Sequence, residues 1–188
     1  MSGLLRVVAE AEMSLTLWHL DKRTRTLMLE EMAYDVEHNQ LHISPYLSGQ
    51  GVHDFPQLLK EAMQQGNETT LAEALNQKRR IDRTAHRRQV KGGFGIVTVP
   101  YNAASMIADD VFNRYYMRAL CLRALADGLD KLIVYRARPV QEPRPGSEEL
   151  VETAVSPAAL LEDLRQHTGE RTEMGIPGGP NSGISVHL

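Results

Sequence analysis

NAASMIADDVFNRYYMRALCLRALAD, residues 102–127, decides how the rest of the chain is read. Ile107, Val111, Phe112, Tyr115, Tyr116, Leu120, Leu122 and Leu125 recur at spacings that put them on one wide apolar face, so the segment predicts a long helix. Gly128 stands where such a helix stops, because glycine takes the left-handed conformation of a C-terminal cap without a Cβ clash. Ile96-Val97-Thr98-Val99, closed by Pro100, reads as a strand before the helix, and Lys131 to Arg136 as a strand after it. A helix joining two strands favours their parallel pairing in one sheet. The expected fold class is α+β or α/β, a small mixed sheet packed on a long helix.

Working outward, Thr24 to Glu37 predicts a helix carrying Leu27, Met28, Met32 and Tyr34. Gln40-Leu41-His42-Ile43-Ser44 alternates as a half-buried strand does, ended by Pro45 and Gly49-Gln50-Gly51. Asp54 is placed to cap a helix with Phe55, Leu58, Leu59, Ala62 and Met63, stopped at Gly66. Asn67 is placed to cap a short second helix with Leu71 and Leu75, giving a helical hairpin. Beyond Pro139, Pro143, Pro145 and Gly146 mark a linker, and Ser156 opens a short helix over 157–166. From Gly169 onward five glycines and two prolines leave little that packs. The expected organisation is a mixed α/β core over 1–140, a linker and short helix over 141–168, and an extended Gly/Pro-rich C-terminal arm over 169–188. Ile184, Val186 and Leu188 alternate in that arm as an added edge strand would, and are read as assembly residues pairing with a neighbouring subunit or another protein.

The chain has 188 residues, 42% apolar and 24% charged, and a net charge of −3, which places it among globular proteins without a whole-chain attraction to nucleic acid or anionic lipid. Any such attraction has to be local, and one local run supplies it. Lys78, Arg79, Arg80, Arg83, Arg87, Arg88 and Lys91 are basic, with Asp82 the only acid among residues 78–91. Arg offers forked donors, and the turn at Gly92-Gly93-Phe94-Gly95 offers amides, so the run suits phosphates or an acidic protein partner. It equally suits a solvated connection that keeps a strand edge from aggregating, and it lacks interleaved aromatic residues that stack on bases. The glycine turn opens a strand and lacks the Lys and Ser or Thr of a phosphate loop.

No hydrolase pattern is present, and no cofactor is implied, so the expectation is a protein that is not an enzyme. Cys121, alone, cannot form an internal disulfide or a Cys-based zinc site, and its apolar setting reads as that of a small hydrophobe. His38 and His42 beside Glu37 share a strand face, where they serve either as zinc ligands or as exposed polar positions. Asp109 with Asp110 serve either as a metal pair or, at Asp110, as the i,i+4 ion-pair partner of Arg114, and Tyr115 with Tyr116 suit either burial on a wide arc or a place for one of them in a protein interface. No stretch has the ~20 apolar residues that cross a bilayer. Met1 to Arg6 is soon followed by Glu10 and Glu12, unlike a signal peptide, so a cytoplasmic location without membrane partners is expected.

Val111 to Cys121, VFNRYYMRALC, resembles a segment of uncharacterised proteins found near phage and prophage genes, and Pro180 to Val186, PNSGISV, is similar in the same way. The resemblance implies a tailed-phage structural protein and carries no catalytic residues. The expected function is a non-enzymatic interaction protein of a large assembly, a virion component such as a capsid, decoration or head–tail protein, with protein partners in a homo- or hetero-oligomer. The alternative is a nucleic-acid-binding accessory protein that uses residues 78–91.

Overall fold

The structure is a computed structural model that describes residues 14–77, 79–88, 93–140, 143, 145–177 and 182–188, with backbone alone at Arg87, Arg88, Phe94 and Pro145. In chain order the elements are α1 (Lys22–Glu37), α2 (Gly49–Gln65), α3 (Glu68–Asn76), β1 (Thr84–Arg88), β2 (Phe94–Thr98), α4 (Ala103–Ala126), β3 (Leu132–Arg136), α5 (Pro145–Glu148), β4 (Ala154–Val155), α6 (Pro157–Gln166) and β5 (Ile184–His187). The fold is mixed α/β, with small antiparallel sheets and a long packing helix.

Helix α4, about 36 Å long at 1.5 Å per residue, is the axis: α1, α3, α6 and strand β5 all pack on it. Seventeen of its 24 residues are buried. That leaves no broad solvent face, so the expected single apolar stripe is too narrow a description. Asp109, Asn113, Arg114 and Arg118 lie inside the protein, while Leu125, read as core, is 45% exposed near the helix end. A helix surrounded on all sides has to bury its polar residues too, and each then needs a partner.

The parallel pairing expected of the strands flanking α4 does not form. β2 pairs antiparallel with β1, from Thr84↔Thr98 to Arg88↔Phe94. β3 is the centre of a separate antiparallel sheet of order β4-β3-β5. A hairpin closes a short loop and so orders less chain than a crossover does; Gly93, at φ +82°, takes the left-handed conformation at the start of β2.

The C-terminal segment corrects the expectation of a free arm. Residues 184–187 pair with β3 of the same chain, from Ile133↔His187 to Arg136↔Ile184. Ile184 and Val186 are fully buried, and Leu188 is half-buried against the same core. Asn113 donates its side-chain amide to the Ile184 carbonyl at 2.7 Å, and Ser185 donates its hydroxyl to Asn113 Oδ1 at 2.7 Å. The alternation of three apolar residues does describe a strand, but its partner is this chain's own β3, so Ile184 and Val186 are not available to a neighbour. Leu160, Leu161 and Leu164 of α6 join the same core, so the segment after the linker packs on α4.

Two boundaries in the first half also move. Residues 40–44 form no strand. Gly49-Gln50-Gly51 does not end an element but begins α2, whose cap is Ser48 rather than Asp54: Ser48 Oγ accepts from the Gly51 amide at 3.1 Å. Gly51 is needed there because a Cβ would collide with the Arg80 carbonyl oxygen. The cap of α3 is as expected, a reciprocal box between Asn67 and Thr70.

Candidate functional site

The β1–β2 hairpin has two unlike faces, as period-two alternation requires. Ala85 is buried with Val99 and Ala103, beside the partly buried Tyr46, Ile81 and Val97, and this anchors one face. Thr84, His86, Ile96 and Thr98 form the other and are exposed. Ile96 is 71% exposed, and Tyr101, just past the end of β2, is 98% exposed. The register sets His86 opposite Ile96 and Arg88 opposite Phe94.

The residues of the basic run separate in three dimensions. Lys78 and Lys91 lie outside the described residues. Arg79 and Arg83 are exposed, and Arg87 and Arg88 lie in β1 opposite Gly95 and Phe94. Arg80 does not belong with them. It is 6% exposed, its Nε donates to Asp54 Oδ2 at 2.8 Å and its Nη1 to the Ala74 carbonyl at 2.6 Å. Its guanidinium ties the turn after α3 to α2, and a side chain held this way cannot also reach a partner molecule.

Hydrogen bonds from His53 and Arg80 hold the Asp54 carboxyl down at about 2. A carboxyl lowered on folding adds stability above its unfolded value near ~3.9, and that contribution is lost as pH falls through about 2. The Asp54 side-chain carbon, followed by NMR, should therefore titrate with a midpoint near 2 in the native protein. In Arg80→Met the midpoint should move upward; an unmoved midpoint would show that Arg80 does not hold it.

The charge of the hairpin region contrasts with that of the rest. Residues 78–101 hold seven Lys or Arg and one acid, a net of +6, so the remaining residues of a chain with net charge −3 carry −9. The segment is thus basic within an otherwise acidic chain, although the charge of Arg80 is already met by Asp54; a segment of this sign favours the approach of an acidic partner to it.

Inside, charges serve the fold. Arg118 binds Asp35 in a two-pronged contact, Nη1 to Oδ2 at 2.6 Å and Nη2 to Oδ1 at 2.8 Å, and donates Nε to Glu31 Oε2 at 2.7 Å. Tyr115 donates its hydroxyl to Asp35 at 2.7 Å, and Arg165 closes on Glu31 from α6. This network stitches α1, α4 and α6 together. Sequence spacing does not show it, since Arg118 follows Arg114 by four residues, as a continued polar side of the helix would. Tyr116 is fully buried, and its hydroxyl accepts from the His19 amide at 3.1 Å. Asp110 and Arg114 form the expected i,i+4 pair at 3.1 Å.

A cleft of about 370 Å³ opens between residues 42–46, α4 and Gly169–Glu170. Arg114 fixes its wall by donating to the carbonyls of His167 and Glu170 at 3.0 and 2.5 Å. The His42 ring rests on Gly169, where a Cβ would overlap it. Burial pushes the His42 pKa down, against the pull of Asp110. His38 is stacked on Tyr34 at 4.0 Å and bonds to the Tyr34 carbonyl. The two histidines thus share no strand face, and among the described residues no three His, Cys, Asp or Glu side chains are grouped to hold a metal. Cys121 is fully buried, and burial pushes its thiol up to about 12.

Compared with protein-family models, curated proteins and solved structures, the chain matches none. Among the described residues no helix is long and apolar enough to cross a membrane. Residues 111–121 lie in α4, where all of them are buried, in the core or in its polar contacts.

Proposed function

We propose that this is a non-enzymatic interaction protein of a larger assembly, and that it docks through the segment of the β1–β2 hairpin. The observation that carries the reading is the +6 charge of residues 78–101 on a body of −9, beside the exposed Ile96 and Tyr101. Protein surfaces that stay in water seldom combine unpaired arginines with a projecting aromatic ring, whereas Arg and Tyr are enriched where partners meet. The phage-like segment in α4 favours a virion as the assembly. The charged groups of the interior support the same reading, since those of Arg118, Glu31 and Asp35 are spent on one another.

The test is co-expression of the full chain with the products of its flanking genes, followed by sedimentation. The wild type should run in a complex well above its own 21.0 kDa, and the complex should weaken with salt. Arg79→Ser with Arg83→Ser, both exposed, should stay folded, since exposed charges contribute little to stability, and should run alone. A double variant that assembles as the wild type does would remove this segment from the interface.

A further inference from the structure

We propose that the outer edge of β1 takes an extended acidic segment of a partner protein as an added strand; this rests on the docking reading above and names the class of partner. The main chain decides which groups are on offer. The Val99 amide donates to the Arg83 carbonyl at 3.0 Å, which makes Thr84 and Thr98 a pair that exchanges no hydrogen bond. Bonded and non-bonded pairs alternate along an antiparallel ladder, and the register sets His86↔Ile96 as the next non-bonded pair. Thr84 and His86 therefore turn their N–H and C=O groups away from β2, and all four residues are exposed. Residues 46–48 pair with 80–82, through the Asp82 amide on the Tyr46 carbonyl and the Ser48 amide on the Arg80 carbonyl, both at 2.9 Å. That pairing ends at Asp82, because the Leu47 amide bonds back to the Ser44 carbonyl and turns the chain away. Beyond it, β1 has β2 as its one strand partner among the described residues, and an edge of unpaired main-chain groups is a template for a further strand.

Charge selects the edge and the occupant. The sheet has a second outer edge on β2, but residues 94–101, FGIVTVPY, carry no charge, whereas every basic residue of the segment lies before Gly92. Arg79 and Arg83, both exposed, stand on the approach to Thr84. Asp82 is the one acid there, and even with Arg80 taken up by Asp54 the cations exceed it. A strand of acidic residues laid on β1 gains both the main-chain bonds and this attraction. A second copy pairing through its own β1 would bring the same excess of positive charge, and the two edges would repel.

The experiment is fluorescence anisotropy of the full chain with a labelled peptide of alternating Glu and Thr, about eight residues long so that it spans the edge at ~3.4 Å per residue. Its Lys–Thr counterpart and the Glu–Thr peptide N-methylated at every amide are the comparisons. The Glu–Thr peptide should bind, more weakly as salt is raised, and the Lys–Thr peptide should not. N-methylation keeps the charge and removes the donors, and should cost about tenfold or more in affinity; Arg79→Ser with Arg83→Ser should cost as much. Amide hydrogen exchange followed by NMR identifies the edge: with the Glu–Thr peptide bound, the Thr84 and His86 amides should slow about tenfold or more, and those of Ile96 and Thr98 should not. No binding of the Glu–Thr peptide, an N-methylated peptide bound as tightly, or unslowed Thr84 and His86 amides would overturn the added strand. Slowing of those two amides in the protein alone as its concentration rises would give the edge to a second copy, and a labelled single-stranded oligonucleotide bound more tightly than the Glu–Thr peptide would give the segment to nucleic acid; either overturns the proposal. If any of these occurs while the Arg79→Ser, Arg83→Ser variant still fails to assemble, the docking reading stands and only the identity of the partner falls.

Discussion

Deleting residues 183–188 should leave a chain that no longer unfolds in one cooperative step. The deletion removes β5, and with it the strand pairing along β3 from Ile133 to Arg136. Ile184 and Val186 are fully buried, and burying each such side chain stabilises by ~1.5–3 kcal/mol. The Gly183 carbonyl, which accepts from the amides of Ala137 and Arg138, goes too. Asn113, only 5% exposed, loses both of its partners, and an unsatisfied buried amide costs a further ~1–3 kcal/mol. Together these approach the whole margin of a typical domain, ~5–15 kcal/mol. Near-ultraviolet circular dichroism and a thermal melt are the readouts. A truncated protein that melts cooperatively at the wild-type temperature would show that β5 is dispensable to the core and return it to the list of free connectors.

Arg118→Ala should destabilise the protein by ~3–5 kcal/mol, because removing one member of a buried ion pair strands the other charges. Asp35 is 1% exposed and Glu31 3%. Burial pushes the Glu31 carboxyl up, but Arg165 and Arg118 together bring it below its ordinary value. A carboxyl lowered on folding contributes stability above its unfolded value and loses it as pH falls through the folded one. Without Arg118 the Glu31 carboxyl should rise, so the stability gap between variant and wild type should narrow between pH 7 and pH 4. Urea unfolding at both pH values measures it. A gap that is small at pH 7, or that widens in acid, would show that the network does not depend on Arg118. A companion with apolar groups at four positions, Arg118→Met with Glu31→Leu, Asp35→Leu and Tyr115→Phe, should recover much of the loss, since Arg165 is partly exposed and can turn to water and no buried charge is left unpaired.

Both predictions rest on features that were only half legible. The alternation of Ile184, Val186 and Leu188 announces a strand, because a pleated backbone sends alternate side chains to opposite faces. It does not announce the partner, and the abundance of glycine and proline around it suggested one outside the chain. The free edge of β3 decided otherwise. Arg118 likewise sits at a spacing that suits a solvent-facing helix position. Only the arrival of α1 and α6 on that side turns it into the centre of a buried network with Glu31, Asp35 and Arg165. The basic run shows the reverse: contiguous in sequence, it divides when folded, with Arg80 drawn inside to Asp54 while Arg79 and Arg83 stay out.

The sequence by itself determined the elements that depend on local chemistry. It located α4 and its stop at Gly128, the Asn67 cap of α3, the Ser156 start of α6, and the strands around Ile96 and Leu132, since caps, glycine conformations and periodicity act within a few residues. The tertiary structure alone decided which strands pair, that α4 is surrounded rather than half-exposed, and that the C-terminal strand closes the chain's own sheet. The last two outcomes depend on contacts far apart in the chain, from 48 positions between Arg136 and Ile184 to 134 between Glu31 and Arg165, and no local preference encodes which distant surface will be present to receive a side chain.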